Sequence, residues 1–257
     1  MALAQADDIK IQQGAESLVE SIGAGDIRAI SRLITLVENR RPDGFAALRL
    51  LGSGQGRTAV IGITGYPGAG KSTLTNGLIA AYRRLGKKVA VLAVDTSSPL
   101  TGGAVLGDRV RMQDHAGDPA VYIRSMASRG HRGGLAQATG DAARVLEAAG
   151  YDIILIETIG VGQNELGIAE VAQTVVTVVA PGLGDEIQAM KAGLLEIAHI
   201  IVVNKSDLAG ADAAVKDLRE WCRTVIPAAA VKGEGVLEIV AAISEHQRSR
   251  LSVHAAE

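Results

Sequence analysis

The string GYPGAGKS at 65–72 combines glycines, a lysine and a hydroxyl at the spacing that cradles a polyphosphate. Gly65, Gly68 and Gly70, with the small Ala69, let the backbone fold close around phosphate oxygens and turn its N–H groups inward. Lys71 carries a positive charge to the terminal phosphates, Ser72 offers a hydroxyl to Mg²⁺, and Thr73 continues into the element that follows. A second string, NKSD at 204–207, ends an apolar run, HIIVVN. A carboxylate at Asp207 can accept both the N1–H and the exocyclic amine of guanine, a donor pair that adenine lacks. Asn204 and Lys205 stand at the same strand end. Asn and Asp are ordinary turn formers after strands, so NKSD gains its meaning from the phosphate loop upstream. Together the strings predict GTP/GDP as the ligand. Magnesium requires oxygen donors near the phosphates. Asp95, Asp108 and Glu157, with Ser72, are the candidates, and for each acid a helix-cap or turn role is the plain alternative. Lys71, Asp95 and Glu157 are the expected catalytic groups for phosphoryl transfer to water. Gln163 has the chemistry to orient that water and equally to cap the next helix, so no catalytic base is assigned.

These residues need strands to carry them. TAVIGITG precedes the glycine loop and TLTNGLIAAYRRL follows it, a strand–loop–helix setting. KKVAVLAVD, AVYIRSM, YDIILIE, TVVTVVA, HIIVVN and AAAVK are the further candidate strands, alternating with Ala-rich amphipathic stretches. That rhythm predicts an α/β P-loop NTPase with a mostly parallel, doubly wound sheet, whose ligand lies beyond the carboxyl ends of the strands. Ile27, Ile30, Leu33, Ile34 and Val37 recur at helical spacing ahead of the break RRPDG. The expected organisation is therefore an N-terminal helical extension over 1–55, a GTPase domain over 56–250 and a short tail over 251–257. Glycines at 96–108 and 158–167 permit loops that order around a γ-phosphate.

Composition narrows the function class. In 257 residues, 26 Lys+Arg against 28 Asp+Glu leave a net charge of -2, with no global basic field for nucleic acid or an anionic membrane. The most apolar runs fall well short of the ~20 residues a membrane span needs. The polar, acidic first residues lack the form of a secretory signal, which makes the cytoplasm the expected location. One cysteine, Cys222, precludes an intrachain disulfide and a cysteine-cluster metal site. Aromatic content of 2% means the core is built from Ala, Val, Ile and Leu.

GYPGAGKST, DTSSPLTGGAVLGDRVRM, MASRGHRGGLA, ETIGVGQNE, GDEIQAMKAG and NKSD, taken together, resemble the MeaB/ArgK-type GTPases, bacterial relatives of the human methylmalonic aciduria type A protein. The resemblance runs from about residue 15 to 248. It implies an accessory chaperone of an adenosylcobalamin-dependent acyl-CoA mutase, coupling GTP hydrolysis to cofactor loading and protecting the mutase. It also implies that the loop with Gly184, Asp185, Glu186, Gln188 and Lys191 is a switch toward that partner; the residues alone read as a solvated helix start. A homodimer in this family forms through a long helical tail. This sequence ends at LSVHAAE, so that route to a dimer is not expected. Family members carry a Ser-Ala pair in the fifth guanine-contact loop where this chain has AAAVKGEG, so backbone contacts are expected to serve there. Arg132 also stands where an apolar residue is usual.

Two other classes share the phosphate loop. A nickel-insertion metallochaperone GTPase calls for a His-rich tract or Cys-His cluster, which the sequence lacks. A small-molecule kinase calls for an arginine-rich lid, and NKSD argues against it. His115, His131, His199, His246 and His254 are scattered, without metal-site spacing. Trp221 and Cys222 read as packing residues, and RRLGKK at 83–88 as a helix end complementing its dipole.

Overall fold

Runs of Val, Ile and Ala are stiff, β-branched or small, and buried on both sides when helices cover both faces of a sheet. Seven such runs form strands: β1 (Ala59–Thr64), β2 (Val89–Asp95), β3 (Val121–Ala127), β4 (Ile153–Ile159), β5 (Thr174–Val179), β6 (Ile200–Val203) and β7 (Val225–Pro227). The computed structural model describes residues 2–52, 57–95, 115, 117–127, 134–159, 166–182, 193 and 195–254. The strand order is β3-β2-β4-β1-β5-β6-β7 and every described pairing is parallel. The sheet is thus the doubly wound α/β type expected. One strand is displaced: VIP pairs with β6, whereas AAAVK beyond it turns into a short 3₁₀ helix, Ala230–Lys232. The Ala-rich string carries no alternation to hold it against a neighbour, and Asn204 captures the N–H of Ala230 instead.

Side chains alternate across the sheet. On one face Ile61, Ile63, Val91, Leu155, Val176, Val178 and Val202 pack under α4 (Lys71–Arg84) and the C-terminal helix α7 (Val236–His254). On the other, Leu92, Ile154, Ile156 and Val175 share a core with α5 (Gly134–Ala148) and the N-terminal helices α1 (Ala2–Gly23), α2 (Ile27–Glu38) and α3 (Pro42–Leu51). A further helix, α6 (Ala211–Leu218), closes a smaller cluster with β6 and β7 through Val215, Leu218 and the buried Cys222.

The helical spacing read between 27 and 37 is α2. Asp26 caps it by accepting from the Arg28 N–H at 2.8 Å, and Ile30, Leu33, Ile34 and Val37 are buried while Ile27 faces solvent. Arg40 takes a positive φ of 53° at the break, and Pro42 starts α3, where its missing N–H costs nothing. Arg124 on β3 ties the arm to the sheet: it donates to Glu38 Oε2 at 2.8 Å and to Thr35 Oγ1 at 3.0 Å. The N-terminal helices therefore share one core with the nucleotide-type sheet. No helix among the described residues is long and apolar enough to cross a membrane.

Two histidines distant in sequence meet at the amino ends of β5 and β6. The rings of His199 and His246 lie 4.3 Å apart, tilted by 51°. His199 Nδ1 accepts from the Val175 N–H at 3.0 Å, which places its neutral-state proton on Nε2. His246 Nδ1 pairs with Thr174 Oγ1 at 2.9 Å, and Arg250 of α7 donates to the Gln173 carbonyl at 2.8 Å. Burial, then the Arg250 guanidinium, pushes His199 below its ordinary range; burial, then His199 and Arg250, does the same to His246.

Leu33 of α2 is fully buried in the core that the N-terminal helices share with α5 and the sheet. Leu33→Ala should lower unfolding stability by about 2–5 kcal/mol in urea titration. Folded-state histidine pKa values below the unfolded value of about 6.5 give stability that is complete above that pH and erodes as pH falls through it. The urea midpoint should fall between pH 7.5 and 5.5, and the fall should be smaller in His246→Gln.

Candidate functional site

The site lies at the carboxyl ends of β1, β4 and β6. β1 runs into Gly65, whose φ is 132° and where a Cβ would run into the Val178 carbonyl oxygen of β5; only glycine lets the loop leave the sheet there. Gly70 ends the loop with φ 93° and opens α4, so the free N–H groups of the first helical turn face the loop. Lys71 is buried and folds back over the loop, donating to the carbonyls of Gly65 and Tyr66. Thr75 braces the turn by donating to the Lys71 carbonyl at 3.0 Å, and Thr73 lies exposed on the first turn of α4.

β4 is the neighbour of β1 and places Glu157 opposite Ile63. Glu157 is 1% exposed, and its Oε1 accepts from Ser72 Oγ at 2.6 Å. The hydroxyl and carboxylate expected around magnesium are thus in contact across the strand–helix junction. These hard oxygen donors, beside a loop built for phosphate, fit a Mg²⁺ ion. Asp95 is the last residue of β2, two positions beyond the level of Glu157 on the adjacent strand; its side chain lies outside the described residues. Asp108, Arg132, Gln163 and the segment with Gly184, Asp185, Glu186, Gln188 and Lys191 lie outside them as well.

Asn204, 3% exposed at the end of β6, joins three loops. Its backbone N–H donates to Val179, its Nδ2 donates to the Ala69 carbonyl at 2.8 Å, and its Oδ1 accepts from the Ala230 N–H at 3.0 Å. One amide N–H and one lone pair remain for a ligand. Lys205 holds a positive φ of 57° and is exposed, turning the chain so that Asp207 projects into solvent beside the loop after β7. Asp207 Oδ2 meets Lys232 Nζ at 3.0 Å. The Lys232 ammonium, then a backbone N–H, holds the Asp207 carboxyl below the usual carboxylate range, and the same contact raises Lys232.

The family model described as methylmalonyl Co-A mutase-associated GTPase MeaB matches residues 30–254. The chain belongs to the MeaB family of GTPases. A Pyrococcus horikoshii protein named as a GTPase is 47% identical over 249 residues, covering 92% of this chain and 78% of its own. A Caenorhabditis elegans protein named as a mitochondrial methylmalonic aciduria type A homolog is 38% identical over 216 residues, covering 78% of this chain and 53% of its own. A crystal structure titled LAO/AO transport system kinase superposes with a TM-score of 0.72 at 30% identity, covering 93% of this chain and 76% of its own.

For this MeaB-family chain, the structure gathers residues 65–73, Glu157 and the NKSD loop at one end of the sheet. It adds a contact the sequence did not disclose. Lys232, in the AAAVKGEG loop, reaches Asp207 with its side chain. The 3₁₀ turn shortens the path between them; no local spacing rule links positions 207 and 232. The histidine pair was hidden for the same reason.

A methyl group at Gly70 would run into Asn204 Nδ2, so Gly70→Ala must displace the brace. Asn204→Ala leaves the Ala69 carbonyl and the Ala230 N–H without their partner and should lower stability by about 2–4 kcal/mol. Both variants should lose most nucleotide affinity while keeping a native far-ultraviolet circular dichroism spectrum at 15 °C. Calorimetric GDP titration alongside thermal melts checks this.

Proposed function

We propose that this chain binds GTP and GDP at the carboxyl end of its sheet, hydrolyses GTP, and serves as the nucleotide-driven accessory protein of an adenosylcobalamin-dependent acyl-CoA mutase. The observation that carries the nucleotide reading is the Asn204 carboxamide, which links the phosphate loop to both loops beside Asp207. That linkage supports the reading because it ties the glycine loop to the two loops that flank Asp207.

The backbone N–H groups of residues 65–72 and the N-terminus of α4 receive the phosphates, with the main chain of Gly65, Gly68, Ala69 and Gly70 forming the wall. The Lys71 ammonium, already among loop carbonyls, adds a phosphate oxygen to its acceptors and neutralises charge there. Ser72 and Glu157, with Asp95 and Asp108, are the residues that would hold Mg²⁺. Bound there, the metal would stabilise charge growing on the phosphate oxygens as the bond to the leaving group lengthens. Burial of Glu157 and Lys71 keeps these groups in a medium of low dielectric, where their electrostatic effect on the reacting phosphate exceeds its value in water. Asp207 accepts the two donors on the guanine edge, and Asn204 and Lys205 shape the wall beside it.

The mutase partnership rests on family membership and on the relative named for methylmalonic aciduria. In this reading residues 184–191 carry the nucleotide state to the mutase, through Asp185, Glu186, Gln188 and Lys191.

Calorimetric titration with GDP and ADP in Mg²⁺ tests the base assignment: GDP binds tightly, ADP weakly, and Asp207→Ala loses roughly a hundredfold or more in GDP affinity. Equal affinity for both nucleotides refutes it. Lys71→Ala should reduce single-turnover GTP hydrolysis by about two orders of magnitude or more. Adding the protein with GTP to an apo acyl-CoA mutase should change the rate of adenosylcobalamin loading; an unchanged rate for every such mutase tried removes the partnership.

A further inference from the structure

Lys232 stands on a turn whose position relative to Asp207 is fixed by three backbone contacts and one hydrogen bond to the Asn204 side chain. Ser206 N–H donates to the Ala228 carbonyl at 2.9 Å, and Ala230 N–H to Asn204 Oδ1 at 3.0 Å. Lys232 N–H closes on the Ala229 carbonyl at 2.8 Å, and Ala229 bridges to Glu234. Gly235 then turns the chain at φ 79°, where a Cβ would lie 2.5 Å from the Pro227 carbonyl oxygen. On this frame the Lys232 side chain spans the short gap to Asp207 and meets one carboxylate oxygen at 3.0 Å.

The torsion that rotates an aspartate carboxylate is broad, so an unsupported Asp207 would sample many orientations of its plane. An ammonium on one oxygen narrows that range. It uses one of about four lone-pair sites on the carboxylate, leaving enough for two further donors. The pair is half-exposed, which makes it an orienting contact more than a source of fold stability.

We propose that Lys232 is a positioning residue for purine selection: it orients the Asp207 carboxylate so that both oxygens meet the two-donor edge of guanine. The inference rests on the guanine reading above and adds to it the residue that sets how sharply the 2-amino group is sensed. Hypoxanthine lacks that amino group and presents only the N1–H. A freely rotating carboxylate satisfies that single donor nearly as well as an oriented one does. Orientation therefore favours guanine over hypoxanthine, beyond what the carboxylate alone achieves.

Equilibrium titrations of the full chain with GDP, inosine diphosphate and ADP test this in wild type, Lys232→Met, Lys232→Arg and Asp207→Ala, with thermal melts for each. Lys232→Met keeps the aliphatic stem and removes the charge. It should narrow the GDP-to-inosine-diphosphate affinity ratio by about three- to fivefold, chiefly through weaker GDP binding. Lys232→Arg should hold the ratio within about twofold of wild type, because the guanidinium still donates to the carboxylate. A purely structural role for Lys232 would instead weaken both nucleotides equally and lower the melting temperature. That result, or a ratio unchanged or widened in Lys232→Met, or tighter GDP binding there, overturns the proposal. If wild type prefers GDP to ADP and Asp207→Ala loses that preference, such a failure belongs to Lys232 alone. A wild type without the preference removes the guanine reading and this proposal with it.

Discussion

The carboxamide of Asn204 reaches two loops that are far apart in the chain, and the geometry of the whole site hangs on that reach. Its donor end holds the carbonyl of Ala69 in the phosphate loop, and its acceptor end holds the N–H of Ala230 after β7. Both partners are buried backbone groups, for which a lost hydrogen bond is costly. Gly70 has no side chain because this amide occupies the space a Cβ would take. One polar side chain thus dictates a glycine 134 positions upstream and the level at which Asp207 leaves the sheet.

The brace works because the strands beneath it cannot shift. A fully parallel sheet with β1 at its centre is covered by apolar helices on both faces, and its Val, Ile and Leu side chains interdigitate at near-crystalline density. Aromatics are few: Tyr82, Tyr122 and Tyr151 are buried in these cores, and many small branched contacts do most of the work. The N-terminal helices belong to this structure: α1, α2 and α3 share the core under β2 and β4, and Arg124 pins α2 to the sheet edge. At the opposite end from the site, the tilted His199–His246 ring pair and Arg250 seat α7 on the sheet. Arg83 and Asp118 clamp the end of α4 to the turn before β3 in the same manner, at 2.7 Å.

The chemistry divides by burial. Lys71 and Glu157, beside the glycine loop, are buried and engaged with their neighbours, so charge there is screened less by solvent. Asp207 and Lys232, on the base side, are exposed, and their pairing governs orientation more than energy. The same sheet edge thus sets one group of charged side chains in a buried setting at the loop floor and another in an exposed setting at its rim.

Local signals were enough to read the glycine loop between β1 and α4, the end of β6, six of the strands close to their positions and the helix at 27–38. These features depend on neighbours within a few residues: glycine conformations, β-branching, helical spacing, a proline start. The seventh strand was misplaced because AAAVK has no alternation of its own and its backbone answers to Asn204. The ion pair between Asp207 and Lys232, the contact of Ser72 with Glu157 and the ring contact of His199 with His246 join residues 25, 85 and 47 positions apart. Sequence alone determined the residue types that suit phosphate, metal and guanine, and the order in which strands and helices carry them. Only the tertiary structure decided which of those groups touch, because strand order and parallel register, set by burial on both faces of the sheet, bring distant strand ends to one edge.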